Sequence, residues 1–194
     1  MFAKSSVIVC ALALVSGVLS APVSLSKRQN PCFVTGSVAL PAEVADSLAG
    51  LSGVTCNPSV EVIPGVPDVT SNGVSFSSID FQKSKLSPVG FALESFKTPC
   101  DPAKADLDLL QNQLNVYLAV EAGVRSQPNT SAVLAKLKGP KFFLQFQIAR
   151  ARTALGEQLG VADTVEHQLG KVTKNAVGAS ADEIAQVEDL ATTL

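Results

Sequence analysis

Hydrophobic and polar positions follow two different periods along the chain. Residues 32–97 contain short apolar or alternating runs broken by Pro, Gly and Ser, which predicts β-rich and turn-rich structure. From residue 100 onward, apolar residues recur at steps of three and four, as in amphipathic helices. The change of period predicts an α+β fold, in which a short β-rich N-terminal half packs against a C-terminal layer of four to five α-helices.

Three segments of the N-terminal half have strand character: 32–40 (CFVTGSVAL), 59–63 (SVEVI) and 68–76 (DVTSNGVSF). The third places Asn72-Gly73 between two strand-like arms, and this dipeptide accepts the positive φ angles that a hairpin turn requires. Segments 78–81 and 89–96 add apolar material to this half. Residues 41–51 instead predict a short helix, with one face formed by Val44, Leu48 and Leu51.

The C-terminal half carries helix boundary signals. Asp101 and Pro102 are suited to begin a helix that ends between residues 123 and 128. Gly139-Pro140 is expected to end a short turn over 131–137 and to begin the next helix. That helix is apolar around nearly its whole circumference, which predicts a buried, central position. Two capping-box pairs predict the starts of two final helices: Asp163 with Glu166, and Ser180 with Glu183.

The N-terminus has the pattern of an export signal. Lys4 precedes an apolar run of 13 residues over 7–19, which is too short to span a bilayer, and small residues follow it. Cleavage after Ser20 is expected, so residues 1–20 form a signal peptide. Lys27-Arg28 then ends a propeptide over 21–28, which leaves a single secreted α+β domain at 29–194.

Removal of residues 1–28 takes away three positive and no negative charges, which changes the formal net charge from −2 to −5. An acidic chain without blocks of like charge does not favour nucleic acid as a partner. The rest of the chain has no apolar run long enough for an integral membrane protein. We therefore expect a secreted, extracellular protein.

Three cysteines remain after the signal peptide: Cys32, Cys56 and Cys100. Export favours one disulfide, and three thiols allow three pairings. Cys32 with Cys56 is the favoured pairing, because these two residues begin β segments that are close in sequence. The third thiol is then either buried or an intermolecular link, and burial is expected, since free cysteines are among the most buried residues.

Catalytic and cofactor chemistry finds little support in the sequence. His167 is the single histidine and is expected on an exposed helix face, and no G-x-S-x-G or C-x-x-C motif is present. Asp80 and Glu94 lie in apolar surroundings, but two acids need to face one cleft before they suggest a glycosidase. No Gly-rich phosphate loop appears. We expect no catalytic residue, no metal ligand and no cofactor.

Two surface features have functional interpretations. Asn129-Thr130-Ser131 is an N-glycosylation acceptor in a predicted loop. A basic segment without acidic residues is formed by Lys136, Lys138, Lys141, Arg150 and Arg152. It predicts either contact with an anionic polymer such as acidic wall polysaccharide, or a solvated rim that pairs with the acidic C-terminal helix. The second interpretation is favoured, because surface charges mostly solvate and pair; that helix carries Asp182, Glu183, Glu188 and Asp189.

The export signal, the Lys27-Arg28 pair and the short cysteine-containing segment resemble those of fungal small secreted proteins of unknown function. The resemblance covers residues 1 to about 35. Export signals without a catalytic motif favour a non-catalytic secreted protein that interacts with the cell wall, an extracellular surface or a host partner.

Two alternatives remain open. One is a carrier of an apolar small molecule, a lipid or a sterol, held by a cluster that could line a cavity. The cluster consists of Phe142, Phe143, Phe146 and Ile148. The other is an unrecognised hydrolase, which would require a cleft that gathers His167 or two close carboxyl groups.

Overall fold

The protein's structure, a computed structural model, describes residues 30–194. A three-stranded antiparallel sheet near the N-terminal end packs against the helices that follow it, so the predicted α+β class is confirmed. The expected signal peptide and propeptide, with Ser20, Lys27 and Arg28, lie outside the described residues. In chain order the elements are α1 (Ala42–Ser47), β1 (Thr55–Ile63), β2 (Val66–Ser71), β3 (Val74–Ser75), α2 (Pro88–Ser95), α3 (Leu107–Ser126), α4 (Ser131–Ala154), α5 (Val165–Lys174) and α6 (Ala181–Thr192).

The sheet has the order β1-β2-β3. Asn72 and Gly73 form the β2–β3 turn with φ angles of 44° and 85°, which confirms the predicted hairpin. The β1–β2 register runs from Thr55 opposite Thr70 to Ile63 opposite Val66, and it is irregular between residues 57 and 61. Pro58 lies in this irregular part, where its missing N–H breaks the ladder.

The segment 32–40 is not a strand, contrary to the prediction. Its amides bond to the C-terminal end of α3: the N–H of Val38 donates to the carbonyl of Ser126 at 2.9 Å, and that of Gly36 to its Oγ at 3.0 Å. A Cβ on Gly36 would collide with the Ser126 carbonyl oxygen, so glycine is needed for this approach. The segment thus satisfies a helix end instead of extending the sheet.

Residues 30–100 contain more helix than the sequence pattern predicts. α1 and the 3₁₀ turn Leu48–Leu51 confirm the helix expected over 41–51. The apolar segment 89–96, assigned to the β-rich half, lies almost entirely in α2. Ser87 caps α2 by accepting a 2.9 Å hydrogen bond from the N–H of Gly90, and Pro88 occupies the first helical position.

α3 begins at Leu107, after a second capping aspartate and later than the start predicted at Asp101 and Pro102. Asp101 caps only the 3₁₀ turn Pro102–Lys104, whereas Asp106 caps α3 through a 2.9 Å bond from the N–H of Leu109. α3 ends at Ser126, as expected. Tyr117 of this helix is fully buried between the rings of Phe76 and Phe96, and its hydroxyl donates to the carbonyl of Ile79 at 2.7 Å.

α4 runs continuously through Pro140, so the predicted break at Gly139-Pro140 is wrong. A proline inside a helix costs about 3 kcal/mol, because one amide is missing and the ring crowds the preceding turn. Here both residues are buried where α2 crosses α4, and a Cβ on Gly139 would lie 3.1 Å from Pro88. This close helix contact offsets the loss, and α4 is the buried central helix that the sequence predicts.

The last two helices confirm one capping box and correct the other. Ser180 and Glu183 form the reciprocal pair at the start of α6. At α5, Thr164 is the cap in place of Asp163, and its Oγ1 accepts a 3.3 Å hydrogen bond from the N–H of His167. No helix of the described region is both long and apolar enough to cross a membrane.

Candidate functional site

A basic pocket of about 550 Å³ opens where four helices meet. We call it the basic pocket; α1, α3, α4 and α5 all contribute to its lining. Four of its lining side chains are cationic and two are anionic, so it has a positive excess in a chain that is acidic overall. The cations are Arg125, Lys138, Lys141 and Lys171, and the anions are Glu43 and Glu121.

A buried ion cluster forms one wall of the basic pocket. Glu121, which is 3% exposed, accepts bonds at one oxygen from Arg125 Nε at 3.1 Å and Nη2 at 2.9 Å. Its other oxygen accepts a 2.6 Å bond from Lys141 Nζ. Glu121 and Arg125 are one turn apart on α3, whereas Lys141 projects from α4. The cluster therefore joins the two longest helices through charge-assisted bonds.

Burial lowers the pKa of Lys141, and the nearby charges of Arg125 and Lys138 lower it further. The Glu121 carboxylate opposes this by favouring the charged lysine. The Lys141 ammonium also lies 4.2 Å from the centroid of the Phe142 ring, and Lys171 approaches the same ring at 5.8 Å. Such cation–π contacts hold the two cations near one aromatic face.

Gln145 lies on the same face of α4, one turn beyond Lys141 and Phe142. Its Oε1 atom is buried and has no hydrogen-bond partner within the described residues. Unpaired buried oxygens are rare in proteins because each costs free energy. Gln145 therefore adds an unpaired amide oxygen to the side chains that surround the basic pocket.

The basic segment predicted as a solvated rim is divided by the fold. Lys136 and Arg152 are exposed, Lys138 is half-buried, and Lys141 and Arg150 are buried. Arg152 bonds Glu157 at 2.7 Å. Arg150 bonds the side chains of Gln147 and Thr98 and the carbonyl of Thr193.

The expected pairing with the acidic residues of α6 is therefore wrong for the three cations whose partners are described: Lys141, Arg150 and Arg152. Helical rotation separates the five residues, because positions 136–152 span more than four turns of α4. One part of the segment, Lys138 with Lys141, lines the basic pocket.

The four apolar residues suggested as a ligand lining lie in different places. Phe142 lines the basic pocket, and Phe143 lines a second pocket of about 340 Å³ between α2, α4 and α6. Phe146 is fully buried, with its ring 6.0 Å from that of Phe143, and Ile148 is partly buried against the core. The second pocket, which we call the apolar pocket, also has Leu93 and Leu190 in its lining.

The cysteines divide into one pair and one free thiol. Cys32 and Cys56 form the disulfide that the sequence favoured. Cys100 is exposed, so the expectation that the third thiol is buried is wrong. It follows α2 and precedes the 3₁₀ turn Pro102–Lys104, in a connection that stays at the surface.

The remaining predicted positions do not converge on a cleft. His167 and Glu94 are exposed on their helices, as expected for His167. Asp80 is buried and caps a 3₁₀ turn by accepting a 3.0 Å bond from the N–H of Gln82. Asn129 is exposed in the α3–α4 turn with a φ of 60°. Within residues 30–194, no group of three or more His, Cys, Asp or Glu side chains has metal-binding geometry.

Sequence reasoning found Lys138 and Lys141 but missed the rest of the basic pocket. Two signals were present: Glu121 and Arg125 are spaced for an ion pair on α3, and Lys138, Lys141 and Gln145 recur at helical spacing on α4. Polar residues at helical spacing on a mostly apolar helix predict a polar notch in the core. The contributions of α1 and α5 depend on long-range packing, which no local pattern contains.

Most of the chain matches a known protein family. The family is described as a domain of unknown function (DUF7143), and the match covers residues 34–194. No curated protein and no solved structure matches the chain.

Proposed function

The chain belongs to the DUF7143 family, and we propose that it is an exported, non-catalytic binding protein whose basic pocket takes anionic groups of an extracellular polymer. The export signal and the dibasic pair support secretion of residues 29–194, as in the fungal small secreted proteins that the N-terminus resembles. The Cys32–Cys56 disulfide supports an oxidising compartment. Such a polymer would lie in the cell wall, on another extracellular surface or on a host partner.

The observation that carries the proposal is the convergence of four cations on one pocket of an acidic protein. The charge of Glu121 is paired with Arg125 and Lys141, and Lys138 and Lys171 add positive charge at the same opening. A positive pocket attracts an anion from solution and orients it. Carboxylate groups spaced along an acidic polysaccharide are ligands of matching charge, and Gln145 adds an amide for a sugar hydroxyl.

The test uses the exported protein, residues 29–194, and polygalacturonate as the probe, with binding measured by isothermal titration calorimetry. Lys138→Glu and Lys171→Glu each reverse one pocket charge, whereas Lys85→Glu makes the same change at an exposed position outside the pocket lining. Each exposed ion pair contributes up to about 1 kcal/mol, so losing one is expected to weaken binding up to about fivefold. Charge reversal also adds a repulsion, which is expected to weaken binding further. The Lys85 variant is expected to bind like the native protein.

Salt and polymer controls make the result specific. Binding is expected to weaken as salt rises, because the attraction between exposed charges is screened, and an uncharged β-glucan is expected not to bind. Equal affinity of all three variants, or no binding of polygalacturonate at low salt, would refute the basic pocket as its site. Capture of a protein in place of the polysaccharide would favour a host partner.

The apolar pocket favours a second candidate function, the carrier of an apolar small molecule. Phe143, Leu93 and Leu190 give it an apolar wall, and Gln147 and Thr98 add polar groups for the head of a ligand. A fatty acid or sterol that binds the folded protein raises its melting temperature by mass action. A panel of such ligands that produces no shift would count against the carrier.

A further inference from the structure

A second groove, unrelated to the basic pocket, runs past the α3–α4 turn. One end is a pocket of about 540 Å³ between the β1–β2 turn, the 127–130 loop and the first turn of α4. The other end is a pocket of about 420 Å³ that reaches Leu86 and Lys136. The two ends share Gln82, Ala132 and Val133, so they lie side by side. We call the 540 Å³ end, which Lys136 does not line, the neutral groove.

The chemistry of the 540 Å³ end is that of a neutral, amphipathic ligand. No charged side chain is among its described lining residues. Pro64, Pro128 and Val133 supply apolar surface, and Gln82 and Gln127 supply amides. Its volume is within the range of about 300–1,000 Å³ that holds small molecules in proteins. A sugar such as N-acetylglucosamine has the matching combination of C–H faces, hydroxyls and an acetamide.

The two amides are fixed in place before any ligand binds. Gln127 Nε2 donates to the carbonyl of Gly65 at 3.0 Å and to the hydroxyl of Thr35 at 2.9 Å. Gln82 Nε2 donates to the carbonyl of Val62 at 3.2 Å and to the Asp80 carboxylate at 3.1 Å. Polar groups held in this way lose little entropy when they contact a ligand.

Asn129 itself is one of the lining residues and is also the acceptor of the Asn129-Thr130-Ser131 motif. It is exposed in a turn with a φ of 60°, a conformation that asparagine tolerates well. The turn is held by Thr130, whose hydroxyl donates to the carbonyl of Val124 at 2.9 Å. A sugar attached to Asn129 therefore starts at the edge of the neutral groove.

We propose that Asn129 carries an N-linked glycan and that its first N-acetylglucosamine lies in the neutral groove. In the attachment step, the Asn129 amide nitrogen forms a bond to C1 of this sugar and releases one proton. The C1–oxygen bond to a lipid-linked diphosphate donor breaks at the same time, and the polyprenyl diphosphate leaves. The donor and its transferase belong to the eukaryotic export pathway, so this proposal rests on the export that the proposed function assumes. Covalent attachment gives the sugar a high effective concentration at the groove, which allows weak contacts to hold it.

The test compares glycosylated and sugar-free protein secreted from a eukaryotic host, with occupancy measured by intact mass. An endoglycosidase trims the glycan to one N-acetylglucosamine, and Ser131→Ala provides a form that keeps Asn129 but lacks the acceptor motif. The one-sugar form is expected to melt at least about 2 °C above the Ser131→Ala protein, a shift that modest contacts produce in a domain of this size. Ala132→Glu, at an exposed position in the groove, is expected to abolish that difference.

Backbone amide spectra of the one-sugar protein and of Ser131→Ala give a second measurement, which does not depend on the Ala132→Glu variant. Adding one sugar is expected to move the NMR signals of Gly65, Gln82 and Val133, in addition to those next to Asn129. An unmodified Asn129 would overturn the proposal. So would a melting difference that is the same with and without the Ala132→Glu substitution, together with spectral changes confined to residues 127–131. None of these outcomes alters polygalacturonate binding at the basic pocket, so the two proposals fail separately.

Discussion

Glu121→Gln removes the charge that two cations share in the buried cluster of the basic pocket. The substitution keeps the shape of the side chain but leaves Lys141 with a neutral partner. Glu121 and Lys141 side chains are only 4% and 9% exposed, so solvent replaces little of the lost interaction. The expected result is a marked loss of stability, since breaking one side of a buried ion pair leaves an uncompensated charge.

The stability that Glu121→Gln loses has a lower and an upper limit. Breaking a buried pair costs about 3–5 kcal/mol. Lys141 limits this cost by releasing its proton, because neutralising a lysine with a pKa of about 10.4 costs roughly 4.6 kcal/mol at pH 7. We therefore expect the free energy of unfolding to fall by about 3–4.6 kcal/mol at pH 7, which lowers the melting temperature by roughly 6–18 °C in a domain of this size.

The free energy of unfolding should depend on pH, and the pKa of Lys141 gives the direction of this dependence. Burial already lowers the pKa of Lys141 in the folded protein, and loss of Glu121 lowers it further. Between that lowered pKa and the ordinary lysine value, the unfolded chain binds more protons than the folded one, so stability rises with pH. This rise is expected to be steeper in Glu121→Gln than in the native protein.

The assay is urea unfolding of residues 29–194 with the disulfide intact, followed by circular dichroism at several pH values. Glu121→Gln combined with Lys141→Met is the control, because it removes both charges and is expected to recover most of the loss. If Glu121→Gln is within about 0.5 kcal/mol of the native protein at pH 7, the ion cluster does not stabilise the fold as proposed, since ordinary surface substitutions scatter by that amount. A double variant that is less stable than either single variant would lead to the same conclusion.

Three further outcomes are expected. Burial raises the pKa of Tyr117, the single tyrosine, well above 10, and the charge of Asp80 raises it further. The free energy of unfolding should therefore fall as the pH rises above 10, because the unfolded chain loses this proton more easily than the folded one. Tyrosinate absorbance should appear only on unfolding. Gly123→Ala should lower the urea midpoint, because the new Cβ would lie 2.7 Å from the Phe33 carbonyl oxygen, and this outweighs the helix preference of alanine. Gly170 has open space around it, so Gly170→Ala should raise the free energy of unfolding by up to about 1 kcal/mol. Selective reduction of the Cys32–Cys56 bond should cost about 3 kcal/mol in chemical unfolding, and an unchanged midpoint would contradict this.

Local signals in the sequence predicted the elements whose geometry is local. Asn72-Gly73 determines its hairpin through backbone conformation alone, and Ser180 with Glu183 begins α6 through reciprocal bonds within one helical turn. The Cys32–Cys56 pairing was favoured because the two residues are close in sequence. In each case the interacting residues are close in sequence, so a local sequence pattern is enough to predict the structure.

The errors occur where distant packing decides the local structure. Residues 32–40 have strand-forming composition, but their amides bond to Ser126, which is 90 positions beyond Gly36. Gly139-Pro140 has the composition of a helix break, but the contact with α2 keeps α4 continuous. Local propensity is a weak prior that such contacts override. The basic pocket was only partly foreseen for the same reason, since its lining comes from four helices.

The most direct test of the binding proposal is a titration of isotope-labelled protein with a trigalacturonate oligosaccharide, followed by backbone amide NMR. The proposal predicts saturable shifts that cluster at residues 43–47, 118–125, 138–145 and 171, around the basic pocket. These shifts should shrink in Lys138→Glu and persist in Lys85→Glu. Absence of shifts at low salt, or shifts that cluster away from these four helices, would contradict binding of an anionic polymer at the basic pocket.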